Sequence, residues 1–360
     1  MKLPRLTILA TLLLTVPAAA QLQITPPAAT PSPPAEKQKP KPPAPPKKKE
    51  AAPAPKPSAS PKPAASPKPA LPATVIPAPP TDTPGVDLVF GAYQRGQYKT
   101  AFDLARARAA TGDAKAMTML GELYSNAMGI RRDYAKALEW YKRASDAGDR
   151  EAMFAQAMLR MSGRGGPVDK GEAVKLMASA AKLGEPKAAY NLALLYLDGQ
   201  TLPQDVKRSA ELLRQAADAG LPEAQYALAT FYKEGTGVPK DPERAVRLLQ
   251  AATLADNVDA EVEYAIALFN GTGTPKNQPA AVALLRKASR QGSAIAQNRL
   301  AWVLINGMGT SVDKVEGFKW HLVAKTSGKG DPELDKQFSD LPPDDRSKAE
   351  AAAKKWLGTK

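Results

Sequence analysis

Carboxylates are the only side chains of this chain that recur at a spacing suited to chemistry. Asp133, Asp169, Asp205, Asp241 and Asp313 stand at multiples of 36 residues, with Asn277 in the remaining place. Paired carboxylates can run acid–base catalysis or hold a divalent cation. These acids stand singly, one period apart. Each follows a short loop and precedes an apolar run of helical spacing. That is the place of a helix N-cap, where a carboxylate accepts the first unpaired backbone N–H groups. Asp169 with Glu172 and Asp313 with Glu316 also have capping-box spacing, which fits the capping reading. Cysteine is absent, which removes thiol catalysis, disulfides and thiolate metal sites. The single histidine, His321, removes multi-histidine metal sites. It shares a column with Tyr141, Met177, Leu213, Leu249 and Leu285, so it reads as a half-buried packing residue. Gly235-Thr236-Gly237 follows a helical pattern and lacks the lysine and hydroxyl of a phosphate-binding loop. The sequence predicts no catalytic residue, no metal site and no cofactor.

The elements that carry these caps share the period. Glycine recurs at Gly112, Gly148, Gly184, Gly220, Gly292 and Gly328, with Asp256 filling the gap. One alanine column runs through Ala116, Ala152, Ala188, Ala224, Ala260 and Ala296, and a second through Ala144, Ala180, Ala216, Ala252, Ala288 and Ala324. Loop glycines recur at Gly163, Gly199, Gly235, Gly271 and Gly307, and two places later at Gly129, Gly165, Gly237, Gly273 and Gly309. Six copies fit between residues 113 and 328 without an insertion. In the clearest copy, Ala224, Leu228, Ala229, Phe231 and Tyr232 have helical spacing, and Gly235 and Gly237 end that helix. Asp241 caps a second helix with Pro242 at its first position. Ala245, Leu248, Leu249 and Ala252 are its expected inward stripe. The small columns allow close helix approach. The larger ones (Leu120, Leu192, Leu228 and Leu300; Trp140, Leu176, Leu212, Leu248, Leu284 and Trp320) are expected to fill the space between. One such hairpin cannot bury its apolar face alone, so stacking is required.

The rest of the chain differs sharply in composition. The 360 residues carry a formal charge of +14 and 35 prolines. Of these prolines, 22 lie between residues 21 and 84, with nine Lys and three acids. Proline fixes φ and removes donors, and few large apolar side chains are present there. A disordered, extended Pro/Lys/Ala-rich arm is expected, able to lean on anionic cell-envelope polymer or to act as a bare tether. Nucleic acid is excluded as a partner by export and by the lack of stacking aromatics. Before the arm, Lys2 and Arg5 precede the apolar run Leu6–Val16 and the small residues Ala18 to Ala20. This is a secretory signal expected to be cut after Ala20. Eleven helical residues rise only about 16 Å, short of a bilayer core. No transmembrane segment is therefore expected after cleavage, and an uncleaved anchor is the alternative.

The repeat columns resemble the Sel-1-like repeat, a relative of the tetratricopeptide repeat. The first copy carries the resemblance at Ala116, Leu120-Gly121, Tyr124, Gly129, Asp133, Lys136-Ala137, Trp140-Tyr141, Ala144 and Gly148. Departures are Gln156 and Arg160 in copy two, Thr201 for the second loop glycine of copy three, and Gly317 in the last copy. The resemblance implies an all-α, right-handed α-solenoid of helix-turn-helix repeats. The expected organisation is a signal peptide (1–20), the arm (21–84), an N-terminal capping hairpin (85–112), six repeats (113–328) and a C-terminal tail (329–360). The tail is expected to hold a capping helix from about Arg346 to Leu357, laid on the last repeat through its alanines and Trp356.

The resemblance also implies adaptor roles, with the first helix of each pair on the concave side. Three columns then face inward: Thr118, Phe154, Tyr190, Tyr226, Val262 and Asn298; Glu122, Met158, Leu194, Thr230, Ile266 and Trp302; Ser125, Met161, Leu197, Lys233, Phe269 and Ile305. Phe154, Tyr190, Tyr226, Trp302, Leu194 and Ile266 are the expected partner-binding residues; burial as core is the competing reading. The expected function is a non-enzymatic scaffold or regulator in a Gram-negative periplasm that binds an unidentified protein. Secretion is an alternative location. A peptidoglycan-associated binding or hydrolytic protein is the alternative function, and it would need a carboxylate pair in the groove.

Overall fold

The computed structural model describes residues 87–358, so the expected signal peptide and the whole of the arm lie outside the described residues. Sixteen helices and no strand occur among the described residues. Helices α1 (Leu88–Gln94) and α2 (Tyr98–Ala110) form the first hairpin. Six pairs of 13-residue helices come next: α3 (Ala114–Asn126) with α4 (Tyr134–Asp146), α5 (Arg150–Ser162) with α6 (Lys170–Lys182), α7 (Pro186–Asp198) with α8 (Val206–Asp218), α9 (Pro222–Glu234) with α10 (Pro242–Leu254), α11 (Val258–Asn270) with α12 (Gln278–Arg290), and α13 (Ala294–Asn306) with α14 (Lys314–Thr326). Helices α15 (Pro332–Ser339) and α16 (Pro343–Gly358) close the chain. From α1 to α14 every helix packs on the next, as expected of an α-solenoid.

The acids of the 36-residue period all act as caps. Each side chain accepts the backbone N–H three residues on: Asp133 from Lys136 at 3.0 Å, Asp169 from Glu172, Asp205 from Arg208 and Asp241 from Arg244 at 2.9 Å. Asn277 and Asp313 do the same for Ala280 and Glu316. The hydrogen bonds at Asp133 hold its carboxyl below the ordinary aspartate range, the Lys136 N–H contributing most. A second set caps the first helices, outside the acid column that the period singles out: Asp113, Asp149, Asn257 and Ser293 accept from Ala116, Ala152, Ala260 and Ala296.

The capping box is made only in its forward half. The backbone N–H of each second-helix cap donates instead to a carbonyl nine residues back, as Asp169 does to Arg160 and Asp313 to Leu304. That bond folds the loop against the first helix and removes the donor the glutamate would have met. Glu316 is left to accept from the Arg286 guanidinium at 2.7 and 2.8 Å, which ties α12 to α14.

The alanine columns are buried as expected, the second with no exposure in any copy. The large second-helix column is a partial correction. Trp140, Leu176, Leu248 and Leu284 are only half-buried, whereas Tyr141, Met177, Leu213, Leu249 and Leu285, one residue on, are buried in every copy. One residue is a rotation of about 100° on a helix, and the later position points between the two alanine-lined faces. His321 belongs to this column and is fully buried rather than half-buried. Its Nε2 lies 2.9 Å from Asp335 Oδ1 on α15, which also accepts the Lys325 ammonium at 2.7 Å.

The C-terminal helix starts at Pro343, three residues before its expected start, and packs on α14. Ala349 and Ala353 are buried, and the Trp356 ring meets Trp320 edge-on at 5.1 Å.

One junction carries strain. Asp256 holds φ +57 where the other copies have glycine, and its carboxylate meets Lys287 Nζ at 2.7 Å. Left-handed geometry is costly for a residue with a Cβ, and this ion pair is exposed. Lys287 keeps the buried Glu261 carboxylate, 2.6 Å away, as a partner. Asp256→Gly is therefore expected to stabilise the chain by about 0.5 kcal/mol after the added freedom of the unfolded glycine is offset. Urea unfolding midpoints of the two proteins check this.

Candidate interaction surface

The first helices present the same positions in each repeat, because each runs 13 residues from an extended N-terminal residue to a left-handed terminus. The fifth positions of α5, α7 and α9 are Phe154, Tyr190 and Tyr226. All three are half-buried and pack against one apolar cluster that runs from Ala180 to Ala260. The structure thus brings these three predicted residues together. Leu194, one turn beyond Tyr190 on α7, is also half-buried.

The other two lie apart from this group. Ile266 is half-buried and packs on the C-terminal cluster that contains Trp302. Trp302 is 6% exposed, and its indole N–H donates to Asp331 at 2.9 Å. Asp331 caps α15, so Trp302 joins the last repeat to the terminal helices. Asn298 on the same face donates to the Lys329 carbonyl.

Polar side chains also link the first helices of successive repeats, contacts that the column reading does not single out. Tyr93 donates to Glu122 at 2.7 Å, and Lys233 pairs with Glu263 at 2.9 Å. Complementary polar residues 29 to 30 positions apart were the available signal. Burial first, then the Glu263 and Asp259 charges, push the Tyr226 phenol far above its ordinary range. Burial and Glu223 push Tyr190 the same way. Both hydroxyls stay protonated at neutral pH and keep a donor for a bound chain. Burial pulls the Arg299 guanidinium down to about 10, against the attraction of Glu263.

Among the described residues no cluster of His, Cys, Asp or Glu could hold a metal ion, and no helix is long and apolar enough to cross a membrane.

The Sel1 repeat family matches residues 114–149, 150–185, 186–221, 222–257, 258–293 and 294–328. The chain belongs to the Sel1 repeat family. The six matched Sel1 segments coincide with the six helix pairs from α3 to α14. Solved structures with a similar fold include a protective antigen present in uropathogenic Escherichia coli strains, at 23% identity and a TM-score of 0.64 over 74% of this chain. The match spans 60% of the length of that antigen. A Sel1 repeat protein from Oxalobacter formigenes is 24% identical, with a TM-score of 0.57 over 66% of this chain and 94% of that one. At these identities the likeness concerns the Sel1 fold. No curated protein matches the chain.

Proposed function

We propose that this Sel1 array is a non-enzymatic periplasmic scaffold or adaptor that takes a protein partner on the face of its first helices. Sel1 repeat proteins are generally protein-interaction scaffolds, which supports the class. The observation that carries the surface is the row Phe154, Tyr190 and Tyr226 on three consecutive first helices, half-buried over one apolar cluster. Half-buried aromatics with protonated hydroxyls offer apolar area and directional donors together, the combination that dominates protein interfaces. Leu194 extends the row, whereas Ile266 and Trp302 pack on the separate C-terminal cluster and lie outside it. The signal-like start of the sequence supports export, and the proline-rich arm supports a tether between that start and the array.

Crosslinking in cells and then mass spectrometry identifies the partner, and capture is compared with a Tyr190→Ala, Tyr226→Ala double variant. Removing two interface aromatics is expected to lower capture at least about tenfold while the helical circular dichroism stays unchanged. Equal capture by the folded double variant refutes this surface.

A further inference from the structure

A second surface lies on the loop rim of the first two repeats. Arg132, just before α4, and Arg164, just after α5, both stand over the ring of Tyr134, their guanidinium carbons 5.8 and 5.4 Å from its centroid. The pairing is built into the backbone. Gly165 packs so tightly on the carbonyl of Tyr134 that a Cβ there would collide with it, which seats the second loop on the start of α4. Arg131 and Arg132 are exposed, and Arg164 is half-buried.

None of the three has a carboxylate within 4.0 Å among the described residues, while the nearest acids in sequence, Asp133 and Asp169, are engaged elsewhere. Asp133 caps α4 and pairs with Lys136 at 3.4 Å, and Asp169 lies 4.0 Å from Arg160. Two like charges are thus held on one aromatic ring without a counter-ion. The ring quadrupole offsets part of their repulsion, and the planar forks keep their N–H groups for another acceptor.

We propose that Arg132 and Arg164 bind a phosphate group, the exposed Arg131 adding charge from the next position in sequence. Two forks held on one ring fit an anion with at least three acceptor oxygens and up to two charges, which favours phosphate over a single carboxylate. This site lies apart from the aromatic row of the first helices, so it stands or falls independently of that surface.

The test is an amide NMR titration of the full chain with inorganic pyrophosphate, beside flotation with phosphatidylglycerol vesicles. Saturable shifts are expected at Arg132, Tyr134 and Arg164. The Arg132→Gln, Arg164→Gln double variant is expected to bind about tenfold more weakly or worse. Tyr134→Leu keeps the net charge and is expected to lose about threefold by releasing the two guanidiniums. Flotation that falls with the double variant places the phosphate on a lipid headgroup. Pyrophosphate shifts without that fall place it on a soluble molecule, and both results support the site. Equal affinity in the double variant, or shifts spread evenly over Lys240, Lys276 and the lysine-rich arm, overturns it and leaves only diffuse charge. Circular dichroism of each variant guards against misfolding.

Discussion

Replacing Gly237 with alanine is expected to destabilise the array by roughly 2–4 kcal/mol. Gly237 has φ +67, and a Cβ there would lie 2.6 Å from the Val206 carbonyl oxygen at the start of α8. The obstacle is backbone at the start of a helix and cannot rotate away. Gly220 is the matched control: its φ is +84, but nothing lies within 4 Å of its Cβ position. Gly220→Ala should therefore carry only the left-handed cost, about 1–2 kcal/mol. Urea midpoints of the two variants read the difference directly, and equal losses would show that the close approach contributes nothing. Because contacts run mainly between neighbouring helices, the Gly237 lesion should lower amide protection chiefly across α8 to α10.

Trp320→Ala should cost about 3–5 kcal/mol and act at the C-terminal end of the array. The Trp320 ring is 3% exposed and meets Trp356 edge-on, and its N–H donates to Glu316 at 3.3 Å. Lys319 places its ammonium 4.2 Å from the Trp320 ring centre and 5.2 Å from that of Trp356. One side chain thus fastens α16 to α14. Hydrogen exchange should show α16 and α14 losing protection first, with α3 to α8 unchanged. Uniform loss over all six repeats would mean that the array unfolds as one unit instead of from its end.

These lesions rest on features of different legibility. The six helix pairs are readable because Asp133, Asp169, Asp205, Asp241 and Asp313 cap at fixed intervals while the alanine columns stay in phase with them. The second-helix packing is readable only to within one residue. Leu248 and Leu249 are both leucine, and composition does not say which of two adjacent leucines points between the alanine faces; only the geometry of the next helix decides. Helix α15 escapes the period because its eight residues carry few apolar anchors, Leu334 and Phe338 among them. The partner of His321 is hidden for the same reason, since Asp335 sits on that helix. For the candidate surface, the columns are legible and their exposure is not. Tyr226 and Trp302 both occupy predicted inward columns, yet one is half-buried and the other sealed by a bond to Asp331. The difference comes from the neighbour packed against each repeat: another repeat beside Tyr226, the terminal helices beside Trp302. No column within the repeat records that neighbour.

The tight loop contacts also set a ruler. Gly165, Gly237 and Gly273 each rest on main-chain atoms at the start of the preceding repeat's second helix. Main-chain atoms are the same whatever the side chains, so the rise from one repeat to the next is insulated from substitution on the outer faces. Such a ladder can diversify its rungs without changing their pitch. The third loop is the exception, because Thr201 replaces the glycine and lacks the positive φ of its counterparts. That junction is where the pitch can be retuned by local sequence change, and it lies inside the span between Phe154 and Tyr226.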